Sequence, residues 1–330
     1  MTGLVETKVW DSGWIQVKIP LPFSLKWVNS YLIPEDGTGY TVIDPGLHTD
    51  EALAAWDEAF LKHGITIEQI KRIVLTHQHP DHYGLAGYFQ ERTGAPVYIS
   101  ERSHAYTQRL WGDNSTYSEE LRAHFAIHGM PDELTLDIKN NLDGFVRRVS
   151  PQPDVTYLEA GETIQLGGME WQLIDAPGHA FGQLCFYEPS NGYMLCGDQV
   201  LPHITPNISF NPGEEEDPLG CFLKSLDELS DYEVKLAFPG HREPFTDFAN
   251  RIIEIKQHHE RRLNKMWEIL RVPSSAFELC EQSFGGHLRT NPHNLRFAMS
   301  ETIAHLHYLE KRGKIIRTGT MDTVMFRTAE

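Results

Sequence analysis

Directly after the apolar stretch Ile73-Val74-Leu75, the chain reads Thr76-His77-Gln78-His79-Pro80-Asp81-His82. Four metal-capable side chains, three imidazoles and one carboxylate, stand within six residues, just where a buried strand is expected to end. Imidazole nitrogens and carboxylate oxygens suit borderline divalent cations, zinc foremost, with manganese and iron tolerated by similar sets. Two histidines on one helix face would stand three or four positions apart, so this tighter spacing points to a strand-to-loop turn. Burying these polar groups without a ligand would be costly, which makes a metal site the reading of the motif. A helix N-terminus capped by Asp81 is compatible with it.

Four further segments repeat the arrangement of an apolar run ending in a residue able to do chemistry. Asp44 lies in Val-Ile-Asp-Pro-Gly and His179 in Ala-Pro-Gly-His, after Trp171 to Ile174. Asp198 lies in Leu-Cys-Gly-Asp, after Tyr193 to Cys196, and His241 in Phe-Pro-Gly-His, after Val234 to Phe238. Taken in order with His77-x-His79-x-Asp81-His82, these segments resemble the signature of the metallo-β-lactamase-fold hydrolases.

The resemblance implies a dinuclear metal-dependent hydrolase with an αββα sandwich. His77, His79 and His179 would hold one divalent ion, and Asp81, His82 and His241 the second. Asp198 would bridge the two together with a hydroxide that attacks the substrate. Asp81 is the candidate to take the proton left after attack. Asp44 resembles the acid that orients a ligand histidine, a role with a basis in tautomer control. Every ligand position is filled, and none by cysteine.

The elements that must position these residues read as strands and helices in alternation. Trp14 to Ile19 and Tyr40 to Ile43 are strand-like, Glu51 to His63 is amphipathic with Gly64 ending it, Gly84 to Thr93 reads as a helix and Pro96 to Ser100 as a strand. The alternation returns from Val155 to Gly240, as two βα halves with facing sheets would require. Residues 101–153 interrupt it with helical periods around Glu119 to His128 and Leu134 to Val149. This insert is read as a lid, with Tyr106, Trp111, Tyr117 and Phe125 as apolar walls of a substrate pocket, or as an element whose aromatics simply pack it onto the body. Beyond Asp198, the segment Leu201 to Pro212 is forced into a loop by its prolines and asparagines, and the loop is expected to leave the site. His203 on it is a candidate donor to a substrate oxyanion. Glu214 to Asp217 reads as a solvated acidic turn.

From about Ala249 the texture turns helical, and the expected division is a catalytic domain over 1–250 and a smaller domain over 251–330. Two helices, Phe277 to Phe284 and Asn294 to Arg312, precede a hairpin around Gly319. This pattern resembles the winged-helix appendage of one branch of the superfamily, which includes proteins similar to a β-lactamase-like endoribonuclease. The chain carries a net charge of −17. From Arg251 onwards it has 13 Lys and Arg against 9 Asp and Glu, a net of +4, so the first 250 residues carry −21. An acidic body does not draw a polyanion from a distance, and the Asn294 to Arg312 helix lacks the cationic face of a nucleic-acid reader.

A small acyl compound, a thioester or lactone, is therefore the expected substrate. A nuclease or phosphodiesterase, and a nucleic-acid-binding regulator with a structural metal centre, are the alternatives. Arg289 in Gly-Gly-His-Leu-Arg-Thr is the candidate partner of a substrate carboxylate or phosphate, and Arg242 a possible second. Four cysteines without paired spacing, no signal-peptide-like start and no membrane-length apolar run point to a soluble cytoplasmic enzyme. The insert and the C-terminal helices both offer apolar faces on which a homodimer could form.

Overall fold

Period-two patterning builds the first sheet: Ile15, Val17 and Ile19 alternate along one strand and are all buried. In the computed structural model, residues 5–37, 39–113, 115–320 and 323–329 are described. Seven strands, β1 (Thr7–Val9), β2 (Ile15–Pro20), β3 (Trp27–Glu35), β4 (Gly39–Ile43), β5 (Ile70–Val74), β6 (Val97–Ser100) and β7 (Val155–Leu158), lie side by side in chain order. Pairing is antiparallel from β1 to β4 and parallel from β4 to β7.

Parallel neighbours need crossovers, and helices supply them. Helix α1 (Asp50–His63) joins β4 to β5, while α2 (Pro80–Tyr83) and α3 (Ala86–Thr93) join β5 to β6. Three helices, α4 (Glu101–Trp111), α5 (Tyr117–Ile127) and α6 (Asp132–Asp143), fill the connection from β6 to β7. Thr49 starts α1 by accepting from the Ala52 N–H at 3.1 Å, and Gly64 ends it in the left-handed region. Helix α6 stops at Asp143, short of the expected Val149, where the chain passes Gly144 into a 3₁₀ turn.

The second sheet holds β8 (Thr163–Leu166), β9 (Met169–Asp175), β10 (Leu184–Glu188), β11 (Tyr193–Gly197) and β12 (Leu236–Pro239), in the order β12-β11-β10-β9-β8. Only β11 and β12 pair in parallel, and α7 (Pro218–Leu229) lies in their crossover. The sheets face each other through Tyr31, Ile43 and Val74 on one side and Trp171, Phe186 and Phe238 on the other. Helices α1 and α3 cover the outer face of the first sheet. Helix α7 and α8 (Phe248–Ile269) cover the second. The layers are α, β, β, α.

The chain ends with α9 (Ala276–Phe284), α10 (Pro292–Lys311) and a small antiparallel sheet in the order β13-β15-β14, where β13 is Ser274–Ser275, β14 Ile315–Gly319 and β15 Val324–Thr328. Its core continues into the insert: Leu121, Phe125, Leu134 and Ile138 share one cluster with Leu295, Ile303 and Phe326. The expected hairpin is present, although residues 321 and 322 of its turn lie outside the described residues, as do residues 1–4 of the expected leaderless start. All four cysteines are unpaired. No helix among the described residues is long and apolar enough to cross a membrane.

Candidate metal centre

Strand β5 delivers Thr76 and His77 to the rim of the sandwich, and Pro80 at the first turn of α2 turns Asp81 and His82 back towards them. Asp44, at the end of β4, sits at φ 49°, a conformation rare outside glycine that is tolerated where surrounding bonds over-determine it. Those bonds are present. One carboxylate oxygen accepts from the Thr76 N–H at 2.8 Å, and the other from the Thr76 hydroxyl at 2.7 Å and from His82 Nδ1 at 2.9 Å. The other loops approach closely enough to need glycine. A Cβ on Gly240, just before His241, would stand 2.3 Å from Asp198 Oδ1 and 2.5 Å from His82 Cε1. One on Gly178, before His179, would strike the backbone of Phe222.

Three histidines have their outer nitrogen fixed and their inner nitrogen turned to a common centre. His82 Nδ1 donates to Asp44, His179 Nδ1 to the Asn207 carbonyl at 2.9 Å, and His241 Nδ1 to the Trp27 carbonyl at 2.8 Å. The Nε2 atoms face Asp198, at 3.5 Å for His82, 3.6 Å for His179 and 3.3 Å for His241. His241 Nε2 also stands 3.2 Å from Asp81 Oδ2. His77 Nδ1 meets the Thr76 hydroxyl at 2.9 Å, and its Nε2 faces His79 Nδ1 at 3.1 Å. Holding the outer nitrogen fixes the tautomer and leaves the inner lone pair free to ligate.

The donor set fits divalent metal. His82 Nε2, His179 Nε2, His241 Nε2 and Asp198 Oδ1 are buried without a hydrogen-bond partner, a costly state unless a ligand meets them. The ligand atoms of His77, His79 and His179 lie within 4.8 Å of one another, and so do those of Asp81, His82 and His241. Charge divides the two groups. Burial first, and neighbouring imidazoles second, press His77 well below the usual histidine range and His79 down to about 3. Burial opposes the charge of His82 and His241, but Asp198 and the other nearby carboxylates overcome it, leaving His82 well above its usual range and His241 at about 10. Asp81 and Asp198 are held correspondingly low. One group is thus a set of neutral imidazoles, and the other couples imidazoles to carboxylates whose charge a cation would meet.

A third buried group, His259, Glu301 and His305, has ligand atoms equally close, but Glu301 already forms an ion pair with Arg262. Glu301 also accepts from Asn207 Nδ2 at 2.8 Å. Because the carbonyl of Asn207 holds His179, helix α10 reaches the metal centre through a single residue.

The centre opens into a cavity of about 280 Å³. Tyr106, Trp111 and Tyr117 of the insert line it, as expected of a lid, while Phe125 lies in the core shared with the C-terminal helices. Other expectations change. Leu201, Ile204 to Asn207, Ser209 and Asn211 line the cavity, so the loop after Asp198 stays at the site instead of leaving it. His203 is exposed at φ 66° and is not among the lining residues. Arg289 is also exposed and is gripped by both carboxylate oxygens of Glu281, at 2.5 and 2.7 Å. Arg242 lies against the Trp27 ring instead of in the cavity. Glu214 does not form a solvated turn with its neighbours: burial pushes it up to about 8, beside Tyr106 and Tyr117.

Helix α10 contributes His293, Asn294, Arg296 and Phe297 to the cavity wall. The sequence marks this helix only as lacking a cationic nucleic-acid face and does not single out Arg296. Its neighbours His293 and Phe297, three behind and one ahead, were the available sign of a half-apolar wall. Trp27 and Asn207 act through backbone carbonyls, which no side-chain pattern reveals.

A family model described as the metallo-beta-lactamase superfamily matches residues 28–241. A second, described as a metallo-beta-lactamase-like C-terminal domain, matches residues 263–329. The chain is similar to the probable metallo-hydrolase YqjP of Bacillus subtilis, 27% identical over 326 residues, 95% of this chain and 97% of YqjP. It is 24% identical to the hydroxyacylglutathione hydrolase GloC of Haemophilus influenzae over 67% of this chain and 88% of GloC. Among solved structures, the metallo-beta-lactamase family protein TTHA1429 of Thermus thermophilus superposes with a TM-score of 0.86 at 33% identity, covering 96% of this chain and 99% of TTHA1429.

Proposed function

The chain belongs to the metallo-beta-lactamase superfamily and is a metal-dependent hydrolase; from that premise we propose that it uses two divalent cations, zinc first among them, to hydrolyse a small acyl compound, a thioester or lactone. His77, His79 and His179 would hold one ion and Asp81, His82 and His241 the other, with Asp198 shared. Cations so bound supply Lewis acidity and a water of near-neutral pKa. The chain's own residues set the geometry. Asp44, Thr76, Asn207 and Trp27 keep the imidazoles turned inward. Asp81, which lines the cavity beside His241, is the group placed to receive a proton during turnover. Leu110, Trp111, Phe145 and Phe297 exclude water from the space above.

The observation that carries this reading is the joining of the two ligand groups to one small, largely apolar cavity. A nucleic-acid strand needs a run of cations along its path, and among the described residues the lining contains a single arginine and no lysine. The hydroxyacylglutathione hydrolase relative lends support to a thioester. The four unpaired thiols fit a reducing, cytoplasmic setting. The test compares metal-reconstituted protein on a generic thioester and a generic phosphodiester, with His77→Ala as control. Thioester turnover that disappears in the variant is expected. Phosphodiester turnover that disappears in the variant instead would make the protein a nuclease or phosphodiesterase.

A further inference from the structure

Two side chains of the cavity lining hold buried donors with no acceptor, Arg296 at Nε and Trp111 at Nε1. Tyr106, whose hydroxyl stands beside Tyr117 and Glu214, lines the cavity with them. Arginine and tryptophan side chains only donate, and a tyrosine hydroxyl can donate. Among the described residues, no carboxylate lies within ion-pair range of Arg296; its Cζ stands 4.0 Å above the Phe297 ring instead. Of the other cations near this wall, Arg109 pairs with Glu120 and Arg262 with Glu301, while Arg148 lies over the Phe145 ring at 5.3 Å. Glu214, which faces Tyr106 and Tyr117, accepts from Asn211 Nδ2 at 3.0 Å and forms no ion pair with Arg296.

A half-buried guanidinium without a counter-ion is a costly feature for a fold to keep. Burial lowers its proton affinity, with Tyr117 and Tyr106 opposing, yet arginine remains charged in proteins. Such a group persists where a ligand supplies the missing charge.

We infer that Arg296, with Tyr106 and Trp111 beside it, is an anion subsite that takes a carboxylate at the far end of the substrate from the bond that is cleaved. Three features select the anion. The fork of a guanidinium matches a carboxylate through two parallel hydrogen bonds. One cation balances one negative charge, whereas a terminal phosphate carries nearly two at neutral pH. The flanking aromatic walls suit an apolar body between the two ends. This rests on the reading of the cavity as the substrate site and narrows its substrate to acyl compounds with a remote carboxylate.

The test uses metal-loaded protein and three thioesters of one medium-length acyl chain, ending in a carboxylate, a carboxamide or a phosphonate. Binding of the corresponding uncleavable amides is followed by calorimetry. Arg296→Gln is expected to raise KM for the carboxylate thioester, and weaken its amide analogue, by roughly 10- to 100-fold, the range of a hydrogen-bonded charge pair. Values for the carboxamide compounds, which can accept only as neutral groups, should change several-fold less, and an unaltered metal content shows the variant to be folded. Arg296→Lys should retain part of the preference. Because the unpaired charge contributes nothing to the free fold, Arg296→Gln should leave the melting temperature unchanged or raised.

Equal binding of carboxylate and carboxamide by the unaltered protein would overturn the assignment. So would a carboxylate preference that survives Arg296→Gln, tighter binding of the phosphonate, or a marked fall in melting temperature. An Arg296-dependent carboxylate preference among the amides, in a protein that cleaves none of the thioesters, would uphold the subsite while ending the acyl-hydrolase reading.

Discussion

At the metal centre, His82, His179 and His241 each commit the outer nitrogen to a fixed acceptor. Elsewhere in the cavity lining, Arg296 and Trp111 have donors with no acceptor. The centre is supplied by strand ends and the loops that follow them in the two-sheet body, and the far wall by α4, α5 and α10. On the proposed reading, the strand-end rim sets the reaction geometry, and recognition falls to an insert and a C-terminal unit packed in one core that continues under α1 and α3. Such a division lets the wall vary without disturbing the centre.

The largest effect should come from breaking the wall's core. Phe125 is fully buried between the insert and the C-terminal helices, and Phe125→Ala should cost about 3–5 kcal/mol of unfolding free energy. Denaturant titration followed by metal analysis of the folded protein checks this: stability should fall while the metal complement stays. Asp44→Asn sharpens the comparison from the other side. An asparagine cannot accept at both positions from Thr76 and His82, so metal affinity should weaken about 10- to 100-fold. Competition with a chelator reads that change.

How much of this was legible in the sequence follows the same division. His77 follows a short apolar run almost directly, and His179, Asp198 and His241 follow one through a glycine, a local signal that survives without tertiary knowledge. The alternation of elements likewise foretold the facing sheets. The wall was harder, because α10 joins the cavity only through tertiary packing of the C-terminal unit on the insert. Arg289 and Arg296 are seven residues apart and alike in type. Only the structure separates the one gripped by Glu281 from the one facing the cavity. His203 misled for a related reason: its left-handed backbone turns it outward while the next four residues line the site.

A smaller effect depends on pH, and part of it comes from a histidine packed behind the wall. Burial presses His128 down to about 4, with Arg317 and His307 adding to the shift and the His124 carbonyl and Glu310 opposing it. The unfolded chain takes up this proton first, near the ordinary histidine value of about 6.5. Its contribution is therefore complete above that value. It declines by about 1.4 kcal/mol per pH unit as the pH falls towards 4, then levels off. Denaturant titration at pH 7 and pH 5 should show the loss, and His128→Phe should reduce it. The smallest effect is expected at Arg289, outside both regions. Arg289→Ala should leave KM for every substrate within about a factor of two, since only a surface ion pair with Glu281 and a contact over the Phe277 ring are removed, both outside the cavity.

The central claim is that seven residues hold two ions through one shared carboxylate. Metal content per chain, measured after zinc loading and dialysis, tests it most directly in the unaltered protein, Asp198→Ala and Arg296→Gln. Two ions are expected in the unaltered chain and in Arg296→Gln, with both lost together from Asp198→Ala. A single ion in the unaltered chain, or a full complement in Asp198→Ala, would contradict the account.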